Sequence, residues 1–170
     1  MPFYEIKFLP EGTTREYYAS RGNRYRFEDG AFLDMLTTPV WCRRCQELHD
    51  GEYIEPLSEI DQQLADLRNQ NSHLYQWTQD SEAGPNGKFR MELIAEALRR
   101  REWRERRLSP PKCLFCGATD IVVLPLGNEI PCPFSAGTLI MECVGMYDGA
   151  LGDWIFSPEG DRISMDENLV

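Results

Sequence analysis

Trp41-Cys42-Arg43-Arg44-Cys45 is answered far along the chain by Lys112-Cys113-Leu114-Phe115-Cys116-Gly117. Each stretch holds a CxxC pair. Two residues between cysteines let a tight turn aim both thiolates at one ion, with backbone amides pointing at the sulfurs. Gly117 suits the positive φ that such a turn often demands. Two such turns complete a tetrahedral four-cysteine shell, with metal–sulfur distances near about 2.3 Å for zinc. Thiolates favour zinc or an iron–sulfur centre over magnesium or calcium. The expected ligands are Cys42, Cys45, Cys113 and Cys116 around one structural Zn²⁺ ion. A closed shell leaves no coordination position for a substrate, so the ion would support the fold. Its binding would contribute on the order of 10 kcal/mol to folding.

The pattern resembles the zinc-ribbon and rubredoxin-like group, in which two CxxC turns at the tips of β-hairpins share one ion. The resemblance covers residues 38–54 and 110–126 and carries over to the same four cysteines. It departs from simple ribbons in its spacer, because 67 residues separate Cys45 from Cys113. The group is a structural device with many functions, so the resemblance implies a metal and little else.

The spacer reads as helical. Ser58 and Asp61 resemble a capping box. Ile60, Leu64, Leu67, Asn71 and Leu74 recur at heptad spacing, which predicts one helix over residues 58 to about 80 with Asn71 at a seam position. Residues 80–87, Asp-Ser-Glu-Ala-Gly-Pro-Asn-Gly, break it. A second helix is expected from about Lys88 to Leu108, with Met91, Ile94, Leu98 and Arg101 as its stripe and Pro110-Pro111 as its stop. Folding this pair antiparallel about residues 83 and 84 sets Asp61 near Arg106 and Asp66 near Arg101. It also draws residues 57 and 109 together, which would let the distant cysteine pairs meet.

The flanks read as β-structure. Tyr4, Ile6 and Phe8 alternate before a turn at Pro10-Glu11-Gly12, and further short runs hold Tyr17-Tyr18 and Tyr25–Phe27. Residues 30–36 suggest a helical turn. His49-Asp50-Gly51 suggests a hairpin turn before a strand at Tyr53-Ile54. After Cys116, strands are expected at 121–126, 137–144, 153–156 and 162–165, with MDENLV loose at the end. The expected fold is α+β: a mostly antiparallel β body with a split zinc ribbon and an inserted antiparallel helical hairpin. Its parts are 1–57 with the first knuckle, 58–108 with the hairpin and 109–170 with the second knuckle, forming one compact unit.

The formal net charge is −10. From Arg99 to Arg107 there are six arginines (Arg99, Arg100, Arg101, Arg104, Arg106 and Arg107) and two glutamates. This local excess of +4 leaves −14 for the remainder. Residues 45–67 hold seven acidic groups and no Lys or Arg. Nothing reads as a secretory signal, and no apolar run approaches the roughly 18–20 residues of a membrane span, so a soluble cytoplasmic protein is expected.

Other motifs carry two readings each. Cys42-Arg43-Arg44-Cys45 fits a thiol-redox site only if a helix follows the first cysteine. His49 is either an alternative ligand or a neighbour of the first knuckle, and His73 reads as a solvated helix residue. Cys132 and Cys143 are buried free thiols, a disulfide or part of a second metal site. The arginine run either grips phosphates or forms a solvated face paired with acidic neighbours. No Gly-rich phosphate loop, HExxH or nucleophile elbow marks a catalytic site. These features point to a non-enzymatic zinc-binding protein-interaction module. A bacterial immunity or inhibitor protein is one version, its acidity attracting a basic partner. The alternatives are a nucleic-acid-associated zinc protein using the arginine-rich helix, with Arg43-Arg44 as a second basic contact, and a thiol–disulfide oxidoreductase.

Overall fold

The computed structural model describes residues 2–9, 12–18, 22–80, 87–146 and 154–165. The chain forms two compact units, Met1–Tyr53 with Ser109–Val170, and Ile54–Leu108. The class is α+β with mostly antiparallel sheets.

The first unit contains β1 (Pro2–Leu9), β2 (Thr13–Tyr18), β3 (Arg24–Arg26), β4 (Phe32–Asp34), β5 (Thr37–Cys42) and β6 (Glu47–Glu52). After the spacer come β7 (Ile121–Val123), β8 (Glu129–Pro131), β9 (Thr138–Met146), β10 (Trp154–Phe156) and β11 (Arg162–Met165). They make three sheets, in orders β2-β1-β9-β8, β11-β10-β3-β4 and β6-β5-β7. Among the described strands, β10 pairs with β3 in parallel.

The alternation in β1 does what its period of two predicts. Tyr4, Ile6 and Phe8 are buried with Leu124, Cys132, Leu139 and Met141. Each such apolar side chain contributes about 1.5–3 kcal/mol by leaving water. Antiparallel pairing with β9, from Pro2↔Met146 to Leu9↔Thr138, closes the long sequence separation between the two halves of the unit.

Several local expectations need correction. Residues 30–36 hold strand β4 in place of a helical turn. His49, Asp50 and Gly51 lie inside β6, and the hairpin reverses at residues 43–46, because that turn is shaped around the cysteines. The strand expected at 121–126 stops at Val123, and β8 was not foreseen because Pro131 ends it. Part of the strand expected from Asp153, and the tail after Met165, lie outside the described residues.

The second unit contains α1 (Leu57–Arg68), α2 (His73–Asp80) and α3 (Lys88–Arg106). The single helix expected over 58–80 is broken. Asn69 turns extended (φ −88°, ψ 110°) as the C-cap of α1, and its Oδ1 accepts from the Asn71 amide. Ser72 Oγ then accepts from the Tyr75 amide at 3.0 Å and starts α2. Asn71 is exposed, so it has no seam role. The turn expected at residues 81–86 lies outside the described residues, and Gly87 caps α3 with φ 74°.

Ile60, Leu64 and Ala97 form the core between α1 and α3, with Ile94 packed against it. Asp61 pairs with Arg101 at 2.8 Å, so the register is five residues from the expected Asp61–Arg106 pairing. Arg106 instead bonds Glu102 at 2.6 Å, and Asp66 accepts from Gln62. The buried stripe of α3 is Ala97, Arg100 and Trp103, while Met91 and Leu98 are exposed. Among the described residues, no helix is long and apolar enough to cross a membrane.

Candidate metal centre

The two cysteine pairs meet within the first unit through backbone pairing. In β5 and β7, Val40 faces Val123, Trp41 faces Val122 and Cys42 faces Ile121. On the other edge, Gly51 forms an antiparallel bridge with Cys113. The Leu114 amide donates to the Asp50 carbonyl at 2.9 Å, and the Glu52 amide donates to the Lys112 carbonyl at 3.0 Å. The Glu52 carboxylate, almost fully buried, returns a second link by accepting from the Lys112 amide at 2.8 Å, and also accepts from Tyr25 Oη at 2.9 Å. Strand register within this unit therefore brings the two pairs together.

The knuckles repeat one geometry. The Gln46 amide donates to the Cys42 carbonyl at 2.8 Å, and the Gly117 amide to the Cys113 carbonyl at 2.8 Å. Both closing residues have positive φ, 58° at Gln46 and 73° at Gly117. Gln46 has a Cβ, and its side-chain amide is tied to the Arg43 carbonyl across the same turn. The Cys45 amide points at the Cys42 sulfur at 3.5 Å.

The ligand atoms of Cys42, Cys45, Cys113 and Cys116 all lie within 4.8 Å of one another. Cys42 and Cys116 sulfurs are 3.6 Å apart. The edge of a tetrahedron with metal–sulfur bonds of about 2.3 Å is about 3.8 Å, so this spacing fits a shared ion. Cys42 and Cys113 are buried, and Cys45 and Cys116 are half-buried. All four are free thiols.

Electrostatics agrees with that fit. Burial, then contacts with the sulfurs of Cys116 and Cys42, hold the Cys45 thiol far above its ordinary range. Burial pushes Cys113 up to about 11, against the amides of Cys116 and Phe115 that aim at its sulfur. Burial also raises Cys116, but the Ala118 amide and the three neighbouring sulfurs outweigh it and draw that thiol down. Four thiolates this close repel one another strongly in a poorly solvated site, and a divalent cation removes that penalty. The four residues therefore form a group able to hold a metal ion.

His49 lies beside this centre and outside its ligand cluster. Its imidazole stacks on Phe115, with centroids 4.5 Å apart and planes 9° from parallel. Cys42 is the last residue of β5, and the residues after it form the hairpin turn into β6, where a redox motif would start a helix. Cys132 and Cys143 are both free thiols; Cys132 is buried against the β1 cluster, whereas Cys143 on β9 is exposed, so the reading of the pair as buried free thiols holds for Cys132 and is corrected at Cys143.

The arginine run is largely used within the helical unit. Arg100 is buried between Glu55 at 3.2 Å and Glu96 at 2.8 Å. Arg101 bonds Asp61 and Glu105, and Arg106 bonds Glu102. Arg107 is buried with its guanidinium over the Trp103 ring at 5.1 Å. Arg104 is half-buried and Arg99 is exposed.

Sequence reasoning passed over an open cleft beside the second knuckle. It has a volume of about 560 Å³, and Arg44, Phe115, Gly117, Phe156, Asp161 and Arg162 contribute to its lining. The exposed Phe115 within CxxC was the one sequence signal for it. No protein-family model, curated protein or solved structure matches the chain.

Proposed function

We propose that this chain is a non-enzymatic interaction module whose body is held together by one structural zinc ion and whose partner is another protein. The observation that carries this reading is the closure of the cysteine cluster. Four sulfurs drawn from two interlocked knuckles saturate a tetrahedral ion, so the metal stabilises the surface around it and has no position for substrate. Zinc suits the donor set because it takes four thiolates without redox chemistry.

Charge supports a protein partner. Outside Arg99–Arg107 the chain carries −14, and within that run Arg100, Arg101 and Arg106 pair with carboxylates of their own unit. An acidic surface speeds encounter with a basic partner and sets its orientation. An immunity or inhibitor protein directed at a basic toxin is the version of this reading that best uses the charge.

The test is capture with the metal-loaded chain from cells that make it, followed by reconstitution with the purified partner. Binding should weaken as salt rises and should weaken again when exposed Glu28, Glu47 and Glu129 are replaced by Gln. A partner whose binding ignores both changes would contradict the electrostatic part. Turnover of a small substrate that depends on the bound metal would contradict the whole reading.

A further inference from the structure

The cleft beside the second knuckle offers a combination that the interaction surface above does not use. Among the described residues, no acidic group pairs with Arg44 or Arg162. The Arg162 guanidinium lies over the Trp154 ring at 4.6 Å, which orients it without neutralising it. Asp161, the one acid in the lining, is already bound by Lys112 Nζ at 2.5 Å. Cys113 and Cys116 also line the cleft, so a zinc ion with four thiolates, of net charge about −2, stands beside these cations, which keep no carboxylate partner of their own among the described residues. At physiological salt the screening length is about 8 Å, so near groups decide what a seated ligand meets, and the two guanidinium groups are the ones there that can bond a phosphate directly.

An aromatic surface adjoins the two cations. Phe115 is 62% exposed, lines the cleft and is held in orientation by His49, which stacks on it from outside the lining. Gly117 brings bare backbone to the same wall, with nothing within 4 Å of where its Cβ would stand. The volume of about 560 Å³ falls within the roughly 300–1,000 Å³ usual for small-ligand sites. Guanidinium groups that grip phosphate next to a ring that accepts a base are the two parts of nucleotide-unit recognition.

We propose that this cleft binds a nucleoside phosphate unit, with Arg44 and Arg162 on the phosphate and Phe115 stacked on the base. Such a unit comes as a free nucleotide or as the 5′-phosphorylated end of a single strand. The inference goes beyond the protein-partner reading and rests, like it, on the metal-held second knuckle, because Cys113 and Cys116 lie in the cleft wall; metal content separates failure of the two.

The experiment is calorimetric titration of the metal-loaded full chain with adenosine 5′-monophosphate, inorganic phosphate, a 5′-phosphorylated DNA hexamer and hexaglutamate. Binding of the mononucleotide identifies a free nucleotide as the source; binding of the hexamer alone identifies a strand end. In either case Arg44→Ala and Arg162→Ala should each weaken binding tenfold or more with metal content unchanged. Phe115→Ala should weaken nucleotide binding and leave phosphate binding as it was. Arg44 lies on an exposed turn, so its variant remains informative even if Arg162→Ala disturbs β11. The proposal is overturned if neither nucleotide probe binds, if inorganic phosphate binds as tightly as the nucleotide, if hexaglutamate binds more tightly, or if Arg44→Ala binds as the parent does.

Discussion

Gln46 and Gly117 hold the same position in two copies of one turn. Each follows the second cysteine of its pair, each has positive φ, and each donates its amide to the carbonyl of the first cysteine at 2.8 Å. Glycine adopts this backbone at no steric cost, whereas a side chain costs on the order of 1–2 kcal/mol. Gln46 offsets part of that cost through its bond to the Arg43 carbonyl.

A paired prediction follows for these positions. Gly117→Ala should destabilise the metal-loaded chain by about 1–2 kcal/mol, a purely backbone effect because open space surrounds its Cβ. Gln46→Gly should change stability by less than about 1 kcal/mol, since relieved strain and the lost bond oppose each other. Denaturant titration of both variants checks this, and a larger loss at Gln46 than at Gly117 would contradict it.

Gly51 is needed for a different reason. A Cβ there would stand 2.5 Å from Val40 Cγ1, and Val40 is fully buried on β5, the antiparallel neighbour of β6. Gly51→Ala should cost about 1–3 kcal/mol through overpacking. Adding Val40→Ala should recover part of the loss, giving a favourable coupling in a double-mutant cycle. Additive losses would show that the contact is not the cause.

Glu52 joins the two halves of the first unit. Its carboxylate accepts from the Lys112 amide, immediately before the second knuckle, and from the Tyr25 hydroxyl. Glu52→Ala should destabilise by about 2–4 kcal/mol, because it removes a buried acceptor from the Lys112 amide and from the Tyr25 hydroxyl. It should also weaken metal retention against a chelator, whereas Tyr25→Phe should lower stability and leave retention close to the parent. Chelator competition with thermal unfolding separates the two.

Glu55 and Arg100 give a pH dependence. Burial raises the Glu55 pKa; Arg100 opposes the rise, and Glu59 and Glu96 add to it. The Arg100 guanidinium is 3.2 Å from Glu55 Oε2, yet that oxygen has no hydrogen bond, so attraction does not make good the lost hydration. The folded chain therefore holds the Glu55 proton more tightly than the unfolded chain. Stability from this group is present at acidic pH and is lost as pH rises from the ordinary carboxylate range through the raised value. Glu55→Gln should flatten this component and leave the chain equal to or up to about 1 kcal/mol more stable at pH 8. Denaturant titrations at pH 5 and pH 8 decide it, and a variant clearly weaker at pH 8 would contradict the assignment.

The legibility of the fold in the sequence varied with how local each cause was. The alternation of Tyr4, Ile6 and Phe8 and the spacing of Ile60, Leu64 and Leu67 were readable because burial on one face imposes a period. The clustered cysteines were readable because CxxC geometry is set within four residues. The heptad pattern carried too far at Asn71, although Asn69-Gln70-Asn71-Ser72 was a visible break: short polar side chains there compete with the helix for backbone bonds. Burial of Arg100 in α3 was not readable, since it depends on Glu55 and Glu96 reaching it in three dimensions. The same limit hid the cleft, whose lining comes from residues 44, 113–117, 156 and 160–162.

Metal content measured together with ligand substitution tests the central claim most directly. Elemental analysis and native mass spectrometry of the purified chain should show one zinc per chain, with all four clustered thiols protected from alkylation until a chelator is added. Cys113→Ser should release the metal and lower the unfolding midpoint sharply, while Cys143→Ser, at an exposed site on β9, should change neither. A chain that carries no metal, or a Cys113→Ser variant that keeps both its metal and its stability, would contradict the account.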